Sequence, residues 1–433
     1  AMRHVFFSER EVARSPWIPK DTKAREIKTA GVIGCGTMGG GIAMNFANAG
    51  IPVTVVENDP KALERGLGII RKNYAGTVER GRMKPEDMEK RMGLIKGSTK
   101  YEDLKDADIV IEAVFENLAL KREIFGKLDK IAKPDAVLAT NTSTLDVDAI
   151  AAATARPEKV VGTHFFSPAN VMRLLENVKG AKTAPETAQT AMEMGRRINK
   201  VAVLVGVCDG FVGNRMLYAY TRQAGFLLEE GATPEQVDKA IYDFGFPMGP
   251  FQMSDLAGID VGYLVRKERR EHAPTNKRYA YTVADRLYEQ GRFGQKTGRG
   301  FYLYDAERNR KVDPEVTALV EQVSKEHGRT RRAIGADEIV ERCMYALVNE
   351  GAKILEEGIA ARPLDIDMIW IFGYGFPRYR GGPMHWADEV GLAKLLERLE
   401  HYYQSADSDW LEPAPLLRKL VKEGKTFRAW AAA

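Results

Sequence analysis

The stretch Ala30-Gly31-Val32-Ile33-Gly34-Cys35-Gly36-Thr37-Met38-Gly39-Gly40-Gly41 decides the fold. A short apolar run breaks into glycines and then opens an apolar, helix-spaced segment, Ile42-Ala43-Met44-Asn45-Phe46-Ala47. Gly34, Gly36 and Gly39 have the G-x-G-x-x-G spacing. The first permits a tight turn, the second lets backbone approach a pyrophosphate, and the third lets a helix pack closely on a strand. The phosphates would sit at the helix N-terminus, around Thr37 and Met38, where unpaired N–H groups and the helix dipole favour negative charge. In a chain with 40 glycines the spacing by itself equally fits a plain glycine-rich turn.

The following run, Ile51-Pro52-Val53-Thr54-Val55-Val56-Glu57, narrows that choice. It is β-branched and ends in an acid 18 residues past Gly39, close to where a dinucleotide fold needs a carboxylate for the adenine ribose hydroxyls. A carboxylate there repels a 2′-phosphate, and no arginine follows at once to rescue it. The expected cofactor is therefore NAD rather than NADP. The bland alternative is a solvated glutamate at a strand end.

A chain of 433 residues is long enough for two to four domains. Its 44% hydrophobic and 29% charged content are ordinary for a globular protein. A net charge of +4 is small for this length and argues against a nucleic-acid partner. The three cysteines, Cys35, Cys208 and Cys343, are too widely spaced for a disulfide framework or a zinc site of the usual spacing, so no metal is expected. No apolar run reaches the length of a membrane span. A reducing compartment is expected: the cytoplasm or, in a eukaryote, the peroxisome.

Along the chain, residues 1–27 read as a short amphipathic helix at 3–15 and a Pro-bounded linker. Strand signals follow near 28–33 and 52–57. A charged segment at about 60–92 carries Leu63, Leu67, Ile70, Tyr74 and Val78 at helical spacing. Gly81 and Pro85 break it, predicting two helices that form an arm off the sheet. Ile109-Val110-Ile111 and Ala136-Val137-Leu138-Ala139 are buried-strand runs around a helix at 117–131. Val160-Val161-Gly162 and Leu174-Leu175 extend the sheet, a helix at 185–198 follows, and Val201–Val205 closes the domain. Alternating strands and helices predict an α/β, doubly wound, Rossmann-type parallel sheet over 28–206.

Past Gly206 the character changes to helices, and two stretches repeat each other. Arg215-Met216-Leu217-Tyr218-Ala219 matches Arg342-Cys343-Met344-Tyr345-Ala346, and Glu229-Glu230-Gly231 matches Glu356-Glu357-Gly358. Gly245-Phe246-Pro247 matches Gly375-Phe376-Pro377, and Gly249-Pro250 matches Gly382-Pro383. The offset stays between 127 and 133 residues. Two repeated all-α domains are expected, over 207–312 and 313–433.

In an open α/β sheet, ligands bind outside the carboxyl ends of the strands. Asn141-Thr142-Ser143 follows one strand at that end, and His164 ends the next. Of the six histidines, only His164 falls where a nicotinamide should lie. Glu176, 12 residues on, is able to return to the same face. Oxidising a secondary alcohol removes its hydroxyl proton as hydride leaves carbon, and imidazole has a pKa suited to that. A carboxylate partner fixes the tautomer and stabilises the imidazolium. From spacing alone, His164 also reads as a core histidine satisfied by backbone, and Ser143 as an ordinary turn residue.

Taken together, Gly34–Gly39, Asn141-Thr142-Ser143, His164-Phe165-Phe166-Ser167-Pro168, Glu176 and Asp209-Gly210-Phe211-Val212-Gly213-Asn214-Arg215 resemble the 3-hydroxyacyl-CoA dehydrogenases over nearly the whole chain. The resemblance implies an oxidoreductase of lipid metabolism that converts (S)-3-hydroxyacyl-CoA to 3-ketoacyl-CoA with NAD in fatty-acid β-oxidation. It casts His164 as general base and Glu176 as its orienting partner. It places Ser143 and Asn214 on the substrate's 3-oxygen and thioester region. Glu116 and Lys121 become a cofactor-side pair near the nicotinamide ribose, with Asn141 beside them, and the 60–92 arm a cover for the acyl-CoA.

Two departures refine the resemblance. Short single-function members commonly carry Asn where Ser167 stands, and they have one helical domain. Both features resemble the dehydrogenase half of the multifunctional β-oxidation enzymes, in which an enoyl-CoA hydratase/isomerase domain precedes this part and the 3–15 helix is the connector. The chain has no room for that domain, so hydratase activity is not expected of it. In the second repeat Glu341 stands opposite Asn214, which makes that copy structural. Filling a dimer partner's place, it predicts a monomer. The competing readings are another β-hydroxyacid dehydrogenase, against which the His164/Glu176 pair speaks, and a catalytically silent NAD-binding structural protein.

Overall fold

The computed structural model describes residues 1–269, 277–405 and 409–430. It opens on α1 (Met2–Glu11), followed by β1 (Ala30–Ile33), α2 (Thr37–Asn48), β2 (Val53–Val56), α3 (Pro60–Glu79), α4 (Pro85–Met92) and β3 (Ile95–Ser98). Then come β4 (Ile109–Glu112), α5 (Leu118–Ile131), β5 (Val137–Thr140), α6 (Val147–Ala151), β6 (Val160–Phe165), β7 (Leu174–Lys179), α7 (Pro185–Arg197) and β8 (Val201–Gly206). The eight strands form one sheet in the order β3-β2-β1-β4-β5-β6-β7-β8. The order reverses between β1 and β4, so the glycine loop after β1 opens at the switch point where such sheets bind ligands.

The sheet is parallel except at one place. β6 and β7 pair antiparallel, with His164 opposite Glu176. The eight residues between these strands are too few for the crossover that a parallel pair demands. Strand β3 was not signalled by the sequence: Ile95-Lys96-Gly97-Ser98 lacks an apolar run and gains its conformation by pairing with β2 at the sheet edge. The two helices expected at 60–92 are present, but α3 does not stand off as an arm. Its Ile70 and Tyr74 are buried in the sheet core with Phe46 and Val55, and Gly66 packs against Cys35.

The helical half holds α8 (Phe211–Glu230), α9 (Pro234–Phe244), α10 (Pro250–Ala257), α11 (Ile259–Arg269) and α12 (Thr282–Glu289). After a two-stranded ribbon, Leu303–Tyr304 with Arg310–Lys311, come α13 (Pro314–Glu326), α14 (Ala336–Glu356), α15 (Pro363–Gly373), α16 (Pro383–Val390), α17 (Leu392–Ser405) and α18 (Pro415–Glu423). The chain forms two compact units whose limits differ from the expected 207–312 and 313–433 division. One holds Ala1–Asn214 together with Glu357–Tyr374; the other holds Arg215–Glu356 and the chain from Gly375 on. The segment at 357–374 belongs with the sheet for a physical reason. Ala360 bridges to Val205 on the otherwise open edge of β8, and the Gly206 N–H donates to the Ile359 carbonyl at 2.8 Å. The helix α15 then packs on β7, β8 and α1, where His4 Nε2 meets Asp367 at 2.9 Å.

Within the other unit the repeat is also geometric. Arg215 and Arg342 occupy matched places on α8 and α14, as do Gln223 and Glu350. Arg215 Nε donates to Glu350 at 2.7 Å, and Arg342 Nε donates to Gln223 at 3.3 Å. Gly245 faces Pro377, while Gly375 faces Pro247. Phe246 and Phe376, matched to each other, meet edge to face with centroids 5.5 Å apart. Swapped contacts with one self-matched pair between them are the signature of a two-fold interface. Here it is formed by a single chain.

Candidate active site

The glycine loop is built as its spacing implies. Gly34 adopts φ +96°, and a Cβ on Gly39 would overlap the Gly34 carbonyl oxygen. At Gly36, by contrast, a Cβ would meet nothing within 4 Å. That glycine is exposed at the N-cap of α2, and no side chain caps the helix's first N–H groups. Thr37 is exposed beside it, whereas Met38 turns partly onto the sheet core. Glu57, at the end of β2, accepts the Cys35 N–H on Oε2 at 3.1 Å and stays partly open to solvent. Burial first, then the neighbouring Glu57 charge, pushes the Cys35 thiol up to about 11, so it stays protonated beside the phosphate site. Unspent helix N–H donors beside a carboxylate with acceptor capacity left fit a dinucleotide with a free ribose diol.

At the carboxyl ends of the next strands lies a network centred on Glu116. Its Oε1 accepts from Thr142 Oγ1 at 2.7 Å, from the Ser143 N–H at 2.7 Å and from the Thr144 N–H at 3.0 Å, with Ser143 Oγ at 3.1 Å. Burial opposes this charge. Lys121, the Thr142 hydroxyl and the two backbone N–H groups outweigh it and hold the carboxyl below its ordinary range. Lys121 has no exposed side-chain surface. Its Nζ lies 2.7 Å from Glu112 Oε1 and 3.5 Å from Glu116 Oε2. It therefore braces Glu116 from behind and presents no open face of its own. Glu112, fully buried and also accepting from Thr140 Oγ1 at 2.7 Å, was missed. The signal was an acid ending the apolar run Ile109-Val110-Ile111. Asn141 spends its Oδ1 on the Phe165 N–H at 2.9 Å, tying β5 to β6 and leaving its amide nitrogen for other contacts.

The third group follows from the antiparallel register. His164 Nδ1 lies 2.8 Å from Glu176 Oε2, with the carboxylate fully buried and the histidine nearly so. Glu176 Oε1 accepts the Gly213 N–H at 3.0 Å in the first turn of α8. A strand carboxylate thus satisfies an orphan donor of a helix N-terminus, where the dipole also favours its charge. A carboxylate that accepts on both oxygens fixes the imidazole proton on Nδ1 and leaves the Nε2 lone pair facing away from it. Phe166 and Phe211 wall the ring, with centroids 4.3 and 5.7 Å from it.

Asn214, next to Gly213, reaches the Ser143 carbonyl with Nδ2 at 3.4 Å. One bonded path therefore joins His164, Glu176, the start of α8, Ser143 and Glu116. Such a path supplies a base with a fixed tautomer, a hydroxyl and an amide beside a cofactor cleft. That set suits hydride and proton removal from an alcohol.

Known proteins agree with this chemistry. The family described as 3-hydroxyacyl-CoA dehydrogenase, NAD binding domain, matches residues 29–208. That family's C-terminal domain matches twice, at 210–304 and 339–431. A peroxisomal bifunctional enzyme of Danio rerio is 49% identical over 98% of this chain. The chain spans about three-fifths of that relative's length, 61%. The crystal structure of the dehydrogenase part of multifunctional enzyme 1 from C. elegans is 31% identical, covers 96% of both chains and superposes with a TM-score of 0.70. That of 3-hydroxybutyryl-CoA dehydrogenase from Escherichia coli is 28% identical, covering 92% of this chain and 100% of its own, with a TM-score of 0.81. With both domains of the family matched over most of its length, the chain belongs to the 3-hydroxyacyl-CoA dehydrogenases, which are NAD-dependent oxidoreductases.

Proposed function

We propose that this chain oxidises (S)-3-hydroxyacyl-CoA to 3-ketoacyl-CoA with His164 as the general base. The observation that carries the reading is the His164–Glu176 contact at 2.8 Å, with Glu176 held from its other side by Gly213. Bound NAD supplies the hydride acceptor. His164 Nε2 takes the 3-hydroxyl proton as the C3 hydride departs, and Glu176 stabilises the imidazolium that forms. Ser143 Oγ and Asn214 Nδ2 donate to the 3-oxygen and thioester region. Gly34, Gly36, Thr37, Met38 and Gly39 line the phosphate site, Glu57 takes the adenine ribose hydroxyls, and Glu116, braced by Lys121, lies with Asn141 on the nicotinamide side.

Following its relatives' names, we place the chain in peroxisomal fatty-acid β-oxidation, as the dehydrogenase part of a longer multifunctional protein that also carries a hydratase/isomerase domain. The two-fold contacts within one chain support a monomer whose second helical copy, in the 313–433 region, stands where a partner subunit would.

The test compares NADH consumption with acetoacetyl-CoA and with free acetoacetate. Activity with the thioester alone is expected. Equal activity with the free acid would favour another β-hydroxyacid dehydrogenase, and none with either a silent NAD-binding protein. His164→Gln should lose roughly three or more orders of magnitude in turnover while keeping NADH affinity. Unchanged turnover would remove the assigned base.

A further inference from the structure

We propose that Tyr374, contributed by the second copy of the helical repeat, is a positioning residue that sets the orientation of the Asn214 amide in the substrate site. The inference rests on the reading of Asn214 as a substrate contact. Tyr374 follows α15 directly, and its hydroxyl donates to Asn214 Oδ1 at 2.9 Å. The opposite end of that amide faces the Ser143 carbonyl, which only accepts. The NH2 must therefore point toward Ser143, and Oδ1 toward the phenol. With its oxygen occupied, Asn214 presents donors, and only donors, to the site. A substrate oxygen that gains negative charge as its carbonyl is reduced needs that polarity.

The ring of Tyr374 is itself held. It stacks on the fully buried Trp370 with centroids 4.6 Å apart and planes 22° from parallel. Phe166, the wall of His164, meets it edge-on at 5.5 Å. A Cβ on Gly213 would fall 2.5 Å from the phenol oxygen, so that position admits no side chain while Tyr374 is in place. Gly213 is also the residue whose N–H holds Glu176. One side chain thus touches both arms of the site. The matched residue of the first copy is Phe244, preceding Gly245-Phe246-Pro247 as Tyr374 precedes Gly375-Phe376-Pro377. A phenylalanine there carries no hydroxyl. The donor exists only in the second copy, so that copy completes the substrate site.

Tyr374→Phe removes the hydroxyl and keeps the ring. With acetoacetyl-CoA, kcat/KM should fall about five- to tenfold, the worth of one hydrogen bond to a neutral partner. NADH affinity, read by fluorescence titration, and Tm should stay at wild-type values. In the Asn214→Ala background the same substitution should add no further loss, because its effect passes through the missing amide. Wild-type kcat/KM in Tyr374→Phe, a full additive loss in the double variant, or a parallel drop in NADH affinity and Tm would each overturn the proposal. An Asn214→Ala enzyme of normal activity would instead sink the reading of Asn214 on which it rests.

Discussion

The two copies of the helical repeat agree where they face each other and differ where they face chemistry. Along the two-fold axis, Phe246 and Phe376, Gly245 and Gly375, and Arg215 and Arg342 make equivalent contacts. At the beginnings of α8 and α14 the equivalence ends. Asn214 is shared between Ser143 and Tyr374, whereas Glu341 is bound by Arg398 Nε at 2.9 Å and the Tyr402 hydroxyl at 2.6 Å. A contact on a dyad is felt by both copies, so both must keep it. A residue away from the dyad answers only to its own surroundings. Duplication has therefore preserved an interface while releasing one of two sites to become structure.

Exchanging the residues that differ tests this most severely. Asn214→Glu writes the second copy's acid into the first, setting a buried acceptor against a substrate oxygen. Turnover of acetoacetyl-CoA should fall about a hundredfold or more, equivalent to about 2.7 kcal/mol. The reciprocal Glu341→Asn should hold turnover within about twofold and lower Tm by a few degrees, since only the partly exposed Arg398 and Tyr402 contacts are lost. An active Asn214→Glu enzyme would erase the functional contrast. The axis comes next. Phe246→Ala and Phe376→Ala should each cost about 3–5 kcal/mol in urea unfolding, and by similar amounts, because each is the other's neighbour. If the second copy fills a partner's place, light scattering should give a monomer at micromolar concentration. A stable dimer would break that part of the comparison.

The smallest effect concerns pH and belongs to the first copy alone. Asp238 is pushed up to about 6 by burial, against hydrogen bonds from the Tyr302 hydroxyl and the Phe251 and Gln252 N–H groups. Its counterpart, Asp367, bonds His4 instead. A folded pKa above the unfolded one means that the native state keeps this proton longer, so the contribution to stability declines as pH rises from about 4 through 6. The Tm of the wild type minus that of Asp238→Asn should shrink over that range. A constant difference would show that Asp238 does not titrate there.

The sequence made the sheet and most of the site legible because their signals are local or tied to strand ends. The glycine spacing, Glu57 after β2 and His164 at the end of β6 can all be placed by counting residues. Glu176 was reachable because chemistry required a carboxylate nearby, although the antiparallel pairing that aligns it with His164 left no mark in the pattern. What escaped depended on distance along the chain. Strand β3 exists through its neighbour, and Glu112 reads as the tail of an apolar run until Lys121 is seen buried against it. Tyr374 sits 160 residues from the amide it bonds, inside a copy that its counterpart Glu341 marks as inert. No periodicity records such a contact.

The return of residues 357–374 to the sheet also bears on how the protein is made. Arg215–Glu356 is an insertion into a unit whose final piece leaves the ribosome long after its first. Until that piece arrives, β8 keeps an unpaired edge and Asn214 lacks its phenol partner, while open strand edges invite pairing with other chains. Nascent chains stopped between 206 and 356 should accordingly be held by chaperones or recruited into aggregates. Those extended past 374 should resist proteolysis across the whole sheet. The last strap of the NAD domain thus acts as a checkpoint in synthesis, closing the unit only after the first helical copy has emerged.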